Sequence, residues 1–321
     1  MGWMIDMLSV ALGFVLLSRG AALLVDGGSA LAKRWGVRPF VVGLTVVAWG
    51  TSLPEVVVSA LAAAQGRPAT SLGNVIGSNI ANIGMVIGAA SIVLPAVLSR
   101  RAPLREGSWL LGSLLLLWGL LLDGKLQRWE AIILIATFVA HTLHLFLSRG
   151  GAGAASNEEL TEPSSAAKTW FLVLIGSAVI YAGAQSVMWG GTHIADRLGM
   201  GDTFLGLTIL AIGSSLPELF ACLTSARKGE AGMSLGNVIG SNVFNTLAVT
   251  GVAGALSPFG GGEQIELALA RDFPACLGFT LTLLLLPKLA HGILNSSWRR
   301  LPGFALLLGY AAYLIWISVS G

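Results

Sequence analysis

Charge is scarce in this chain: 11% of its 321 residues are Asp, Glu, Lys or Arg, while 55% are hydrophobic and the mean hydropathy is +0.79. A soluble domain carries about 25% charged residues to cover its surface, so an ordinary water-soluble enzyme is excluded at the outset. Cysteine is almost absent. Cys222 and Cys276 each stand inside an apolar run, which leaves neither a disulfide framework nor the paired spacing of a zinc knuckle, and both read as small buried residues. A dense basic face is missing too. The 19 Lys and Arg against 16 Asp and Glu lie in short clusters between apolar runs, which argues against nucleic acid as a partner. Nor is there room for a soluble domain, since the one long polar stretch, Ser148 to Lys168, is rich in Gly, Ala, Ser and Glu and reads as a flexible linker.

What fills the chain instead is apolar sequence of membrane length. At about 20 residues per span, ten candidate helices occupy 3–26, 38–65, 70–96, 107–123, 129–148, 169–190, 203–226, 232–257, 271–289 and 301–319. The first lacks the basic lead-in of a signal peptide, since no Lys or Arg precedes Arg19, and is expected to be retained. Thirteen of the 19 basic residues fall in the odd-numbered connections, five in the even ones, and Arg19 within a span. Positive connections stay in the cytoplasm, so both termini are expected outside and the linker inside. Short connections without a regulatory domain point to a prokaryotic inner membrane. Trp3, Trp109, Trp129, Trp170 and Trp298 stand near span ends and read as interfacial anchors.

The strongest feature is an internal repeat. Residues 43–88 contain GLTVVAWGTSLPE and GNVIGSN, and residues 206–251 contain GLTILAIGSSLPE and GNVIGSN, with every matched pair 163 positions apart. About half the positions agree without a gap. The same offset pairs Gly20 with Gly183, Gly27 with Gly190 and Arg34 with Arg197, so the preceding span belongs to the unit. The chain is expected to be an all-α membrane protein with ten transmembrane helices in two five-helix repeats. These are residues 1–147 and 169–321, joined by the linker at 148–168. Five is odd, so the second copy enters inverted, the arrangement of an alternating-access carrier whose substrate lies near mid-membrane.

The polar residues suggest the cargo. Glu55 and Glu218 stand inside apolar segments, where an ionised side chain costs about 3 kcal/mol. One reading is a neutral carboxyl tying helices together; the other is a cation site. Thr51, Ser52 and Glu55 gather on one helical turn, as do Ser214, Ser215 and Glu218. Pro54 and Pro217 then break that turn and free the carbonyls of Gly50 and Gly213. Asn74, Ser78 and Asn82 form a polar stripe at four-residue spacing, repeated by Asn237, Ser241 and Asn245. Gly73 and Gly77, like Gly236 and Gly240, read as close-packing ridges beside the stripes. Hard oxygen donors without sulfur or imidazole suit Ca2+ and alkali ions. His141 and His144 lie outside the repeat and read as structural or interfacial.

GTSLPE, GSSLPE and the two GNVIGSN copies resemble the alpha repeats of the cation/Ca2+ exchanger superfamily, in particular its prokaryotic Na+/Ca2+ exchangers. The resemblance covers nearly the whole chain and implies antiport of Ca2+ against Na+ without a resident cofactor. It implies Glu55 and Glu218 as central ligands, with Thr51, Ser52, Ser214 and Ser215 beside them. Backbone carbonyls of Ala48 and Ala211 would contribute, and Ser78, Asn82, Ser241 and Asn245 would complete the shell. Two positions depart from the family pattern. Several relatives have an aspartate where this chain has Asn245, which leaves two carboxylates and an expectation of no K+ co-transport. Relatives often have an acidic residue at Ala22. Ca2+ or two Na+ would neutralise the site, whereas the empty carrier, with unpaired carboxylates, would reorient poorly. By analogy with the family, the first and sixth spans would slide across the central bundle. A monomer and outward Ca2+ transport are expected. The rival readings are a Ca2+/H+ antiporter, an intramembrane enzyme using the glutamates as an acid/base pair, and a channel.

Overall fold

The computed structural model describes residues 2–99, 104–147, 165–198, 211–293 and 299–320. The described residues are helical apart from turns and one isolated bridge between Leu126 and Phe259. In chain order the principal helices are α1 (Gly2–Trp35), α2 (Pro39–Thr51), α3 (Leu53–Ala64), α4 (Pro68–Val93), α5 (Leu104–Leu120) and α6 (Arg128–Leu147). After the linker come α7 (Ala166–Arg197), α8 (Ala211–Ser214), α9 (Leu216–Arg227), α10 (Ala231–Leu256), α11 (Glu263–Leu285) and α12 (Leu301–Ser320). Seven of these are long and apolar enough to cross a membrane, and α2 and α3 together make an eighth, bent by 48°. The linker residues 148–164 and the segment 203–210, which carries the start of the second motif, lie outside the described residues.

Three helices run beyond their expected ends: α11 starts at Glu263, eight residues before the expected 271, and α1 and α7 are longer still. α1 has 34 residues and α7 has 32, so each is roughly 50 Å long, well over the hydrocarbon thickness. Their extra length is used in packing on each other. Gly13 and Gly20 of α1 face Gly183 and Gly176 of α7, while Gly27 meets Val173 and Gly190 meets Asp6 and Val10; in each helix the three glycines are spaced by seven. A Cβ on Gly183 would stand 2.7 Å from the Leu17 amide nitrogen and 2.9 Å from the Gly13 carbonyl, so neither helix tolerates a side chain there. In a bilayer, where apolar burial gains little between helices, such close backbone contact supplies the attraction. Arg197 of α7 also pairs with buried Asp6 of α1 at 2.7 Å.

The central helices α4 and α10 are the most buried of the spans. In α10 the packing ridge behaves as expected: a Cβ on Gly236 or Gly240 would overlap the carbonyls of Phe40 and Leu44 in α2. Gly73 and Gly77 differ, since no described atom lies within 4 Å of a Cβ built there. Their partners by the 163-residue offset, Thr203 and Leu207, lie outside the described residues. His141 is buried, its ring 4.5 Å from that of Trp109.

Candidate functional site

Both glutamates are placed by the same backbone device. Helix α2 stops at Thr51, Ser52 takes φ −86°, ψ 13°, and α3 restarts at Leu53. In the second repeat Ser215 takes φ −88°, ψ 3° between α8 and α9. The break thus falls at the serines. Pro54 and Pro217 sit at the second position of the following arm, where a missing N–H costs nothing. This corrects the expectation of prolines interrupting a continuous turn, because each opens a new one. Glu55 and Glu218 then lie in the first turns of α3 and α9, where the helix dipole favours negative charge.

The two breaks meet. Glu55 and Glu218 are fully buried and close enough to repel each other. Ser52 of the first repeat donates to Oε1 of Glu218 in the second at 2.8 Å. Thr51 and Ser241 also lie beside Glu218, and Ser78 lies beside Glu55. Ser78 Oγ is 3.5 Å from Ser214 Oγ across the repeats. Residues 163 positions apart in sequence are thereby interleaved around one point.

The remaining predicted positions divide into two groups. Thr51 and Ala48 are engaged locally: the Ala48 carbonyl accepts from the Ser52 amide at 3.0 Å and from the Thr51 hydroxyl at 3.2 Å, and Thr51 also reaches Asn237 Oδ1 at 3.3 Å. Ala211 opens α8. Other groups, although buried, have no hydrogen-bond partner among the described residues: both oxygens of Glu55, Oε2 of Glu218, the hydroxyls of Ser215 and Ser241, Oδ1 of Asn82, and both amide atoms of Asn245. Unsatisfied buried polar atoms are rare, and a group of them calls for an explanation. All but one are oxygens. A cation held by such donors would satisfy them together, since Ca2+ takes about six to eight oxygen ligands and Na+ also prefers hard oxygen donors.

Asn82 and Asn245 each open a stretch of wider π turns, Asn82–Ile87 and Asn245–Val249, a local widening common at functional sites. Asn74 takes another role than its place in the stripe suggests. Its amide reaches Ser59 Oγ at 2.9 Å and the Glu55 carbonyl at 3.4 Å, which ties α4 to α3. The sequence reading missed Asn79 and Asn242. These last residues of the GNVIGSN copies form side-chain bonds between the repeats: Asn79 to Thr246, and Asn242 to Asn82 and to the Asn79 carbonyl. Their presence in both motif copies was the available signal, but a stripe drawn only at four-residue spacing passes over them.

The family model described as sodium/calcium exchanger protein matches residues 5–147 and 168–319. CaxA of Alkalimonas amylolytica is 39% identical over 313 residues, 95% of this chain and 96% of that one. The sodium/calcium exchanger MaX1 of Methanosarcina acetivorans is 29% identical over 354 residues, 97% and 98% of the two chains. Among solved structures, the sodium-calcium exchanger NCX_Mj soaked with zero Na+ and Ca2+ superposes with a TM-score of 0.79 at 27% identity, covering 98% of this chain and 99% of that one. The family model and these relatives span both halves of the chain, and the chain belongs to the sodium/calcium exchanger family, membrane antiporters of the cation/Ca2+ exchanger superfamily.

Proposed function

We propose that the protein exchanges Ca2+ for Na+ by alternating access at the site around Glu55 and Glu218. The carrying observation is the Ser52–Glu218 hydrogen bond, which joins the two repeats at the carboxylates. Ten spans follow if α2 with α3, and α8 with α9, each count as one, giving inverted halves at 1–147 and 169–321. The two matched family segments support that division. Thr51, Ser52, Ser78, Asn82, Ser214, Ser215, Ser241, Asn245 and the carbonyls of Ala48 and Ala211 are assigned as ligands for one ion or the other in some stage of the cycle. Both termini are assigned to the outside of a prokaryotic plasma membrane, with the linker in the cytoplasm and a monomer as the working unit.

The chemistry follows from charge. Two buried carboxylates repel each other, and neutralising them lets the loaded site cross between the two access states at lower cost than the empty one. Ca2+ does so alone, and Na+ does so in pairs. Neutral hydroxyl and amide oxygens beside the carboxylates favour Na+ over a proton, which needs no such cage. Proteoliposomes loaded with Na+ and diluted into Na+-free buffer should take up Ca2+, and Glu55→Gln and Glu218→Gln should each abolish uptake. Uptake that followed a pH gradient and ignored Na+ would transfer the site to Ca2+/H+ exchange. Uptake that needed no counter-ion gradient would remove the antiport reading.

A further inference from the structure

The two halves of the site differ, and the difference runs through the asparagines that end the GNVIGSN motifs. Asn242, buried, donates from Nδ2 to the Asn79 backbone carbonyl at 3.1 Å. A backbone carbonyl can only accept. The amide nitrogen of Asn242 must therefore face it, and Oδ1 of Asn242 must face the other way. That oxygen accepts from Nδ2 of Asn82 at 3.0 Å, so Asn82 presents its nitrogen there and turns its own oxygen to the opposite side. Asn82 Oδ1 is the atom left over, buried and without a partner among the described residues, one helical turn beyond Ser78. The two ends of a carboxamide are nearly alike in shape, and their partners decide which end points where. Here a main-chain group that cannot reverse its role makes the decision.

The second repeat lacks this relay. Asn245 and Asn79 stand at the positions equivalent to Asn82 and Asn242, but Thr246 replaces Ile83. The Thr246 hydroxyl donates to the Asn242 carbonyl at 2.7 Å, which leaves its oxygen to accept from Asn79 Nδ2 at 2.9 Å. Asn79 is drawn to Thr246 instead of to Asn245. Oδ1 of Asn79 and both amide atoms of Asn245 then have no partner among the described residues.

We propose that Asn242 is a positioning residue for cation binding: it holds Asn82 with its oxygen toward the cation, while Asn245 is free to turn. The first-repeat half of the site presents a fixed oxygen and the second-repeat half an adjustable one. This rests on the assignment of Asn82 as a ligand in the proposed exchange. An amide nitrogen turned toward a cation is repulsive, so losing the relay weakens binding without removing any ligand atom.

The test measures the KM for Ca2+ and the kcat of Na+-driven uptake for wild type, Asn242→Leu, Asn82→Asp, the double variant and Asn82→Ala. Asn242→Leu should raise KM about tenfold, as loss of a ligand-orienting partner does, with kcat little changed. In the Asn82→Asp background both side-chain ends are oxygens, orientation is irrelevant, and Asn242→Leu should no longer raise KM. An equal rise in both backgrounds would overturn the proposal, because it would make Asn242 a packing residue. Unchanged KM in Asn82→Ala would also overturn it by removing the ligand it positions. Wild type without Na+-dependent uptake would instead overturn the exchange reading itself. If Asn242→Leu is not recovered folded, Asn242→Ala goes through the same cycle.

Discussion

At the scale of single residues, the site is asymmetric in its hydrogen bonding although its sequence is nearly symmetric. Ser52 donates to Glu218, whereas the hydroxyl of its counterpart Ser215 has no partner among the described residues. A hydrogen bond to a charged group contributes about 2 kcal/mol. Ser52→Ala should therefore weaken apparent Ca2+ affinity by roughly thirtyfold, and Ser215→Ala should weaken it less, as titration of Na+-driven uptake in the two variants would show. Glu230 at the α9–α10 turn lies outside the spans and supplies a pH dependence. Burial pushes its carboxyl above the ordinary value of 4.5, against the Ser29 hydrogen bond and nearby Lys228 and Lys33; Asp26 adds to the upward shift. The folded state thus favours the neutral acid. Its contribution to stability is full below about pH 4.5 and declines as pH rises through the elevated value. Glu230→Gln should show a higher melting temperature than wild type near pH 8 and none of that advantage near pH 4. The two central glutamates were legible in the sequence because a duplicated charge in an apolar run needs a reason. The direction in which Asn82 points was not, since it depends on a carbonyl 163 residues from the side chain that reads it.

At the scale of elements, composition and charge spacing located most helices to within a few residues, and the 163-residue offset revealed which are equivalent. The break at Ser52 was shifted by two residues from the prolines that signal it, because a proline is better accommodated in the first turn of a helix than inside one. The full lengths of α1 and α7 and the early start of α11 at Glu263 escaped, since apolar content ends where the hydrocarbon ends while a helix continues as long as a neighbour supports it. The glycines of α1 and α7 at seven-residue spacing are visible in the sequence, but only the fold shows that each set packs against the opposite helix, with Gly13 on Gly183 and Gly20 on Gly176. Adding a side chain at Gly183 meets backbone on both sides and should force the helices apart at a cost of about 1–3 kcal/mol. Gly183→Val should lower the melting temperature in detergent, whereas Gly112→Ala, with no described atom within 4 Å of the new Cβ, should leave it near wild type. Equal melting temperatures for the two variants would mean that the seam does not hold α1 to α7.

At the scale of the whole molecule, the inverted repeat makes a claim about space that the site geometry alone does not test. Equivalent residues of the two halves must emerge on opposite faces of the membrane. Gln65 and Lys228 are such a pair, 163 positions apart, both exposed, each following the arm that carries a central glutamate. The charge distribution assigns the α9–α10 turn with Lys228 to the cytoplasm and the α3–α4 turn with Gln65 to the outside. The protein is convenient for a chemical test of this, because its only cysteines, Cys222 and Cys276, are buried at 0% and 1% exposure. A single new thiol therefore dominates labelling without altering the native ones. In intact cells, a membrane-impermeant maleimide should modify Gln65→Cys and spare Lys228→Cys, and in inside-out vesicles the pattern should reverse. Labelling of both from one side would reject inversion. Reversal of the whole pattern would keep inversion and move both termini to the cytoplasm, in which case the lysine and arginine distribution would have misread the orientation while the paired repeats stood.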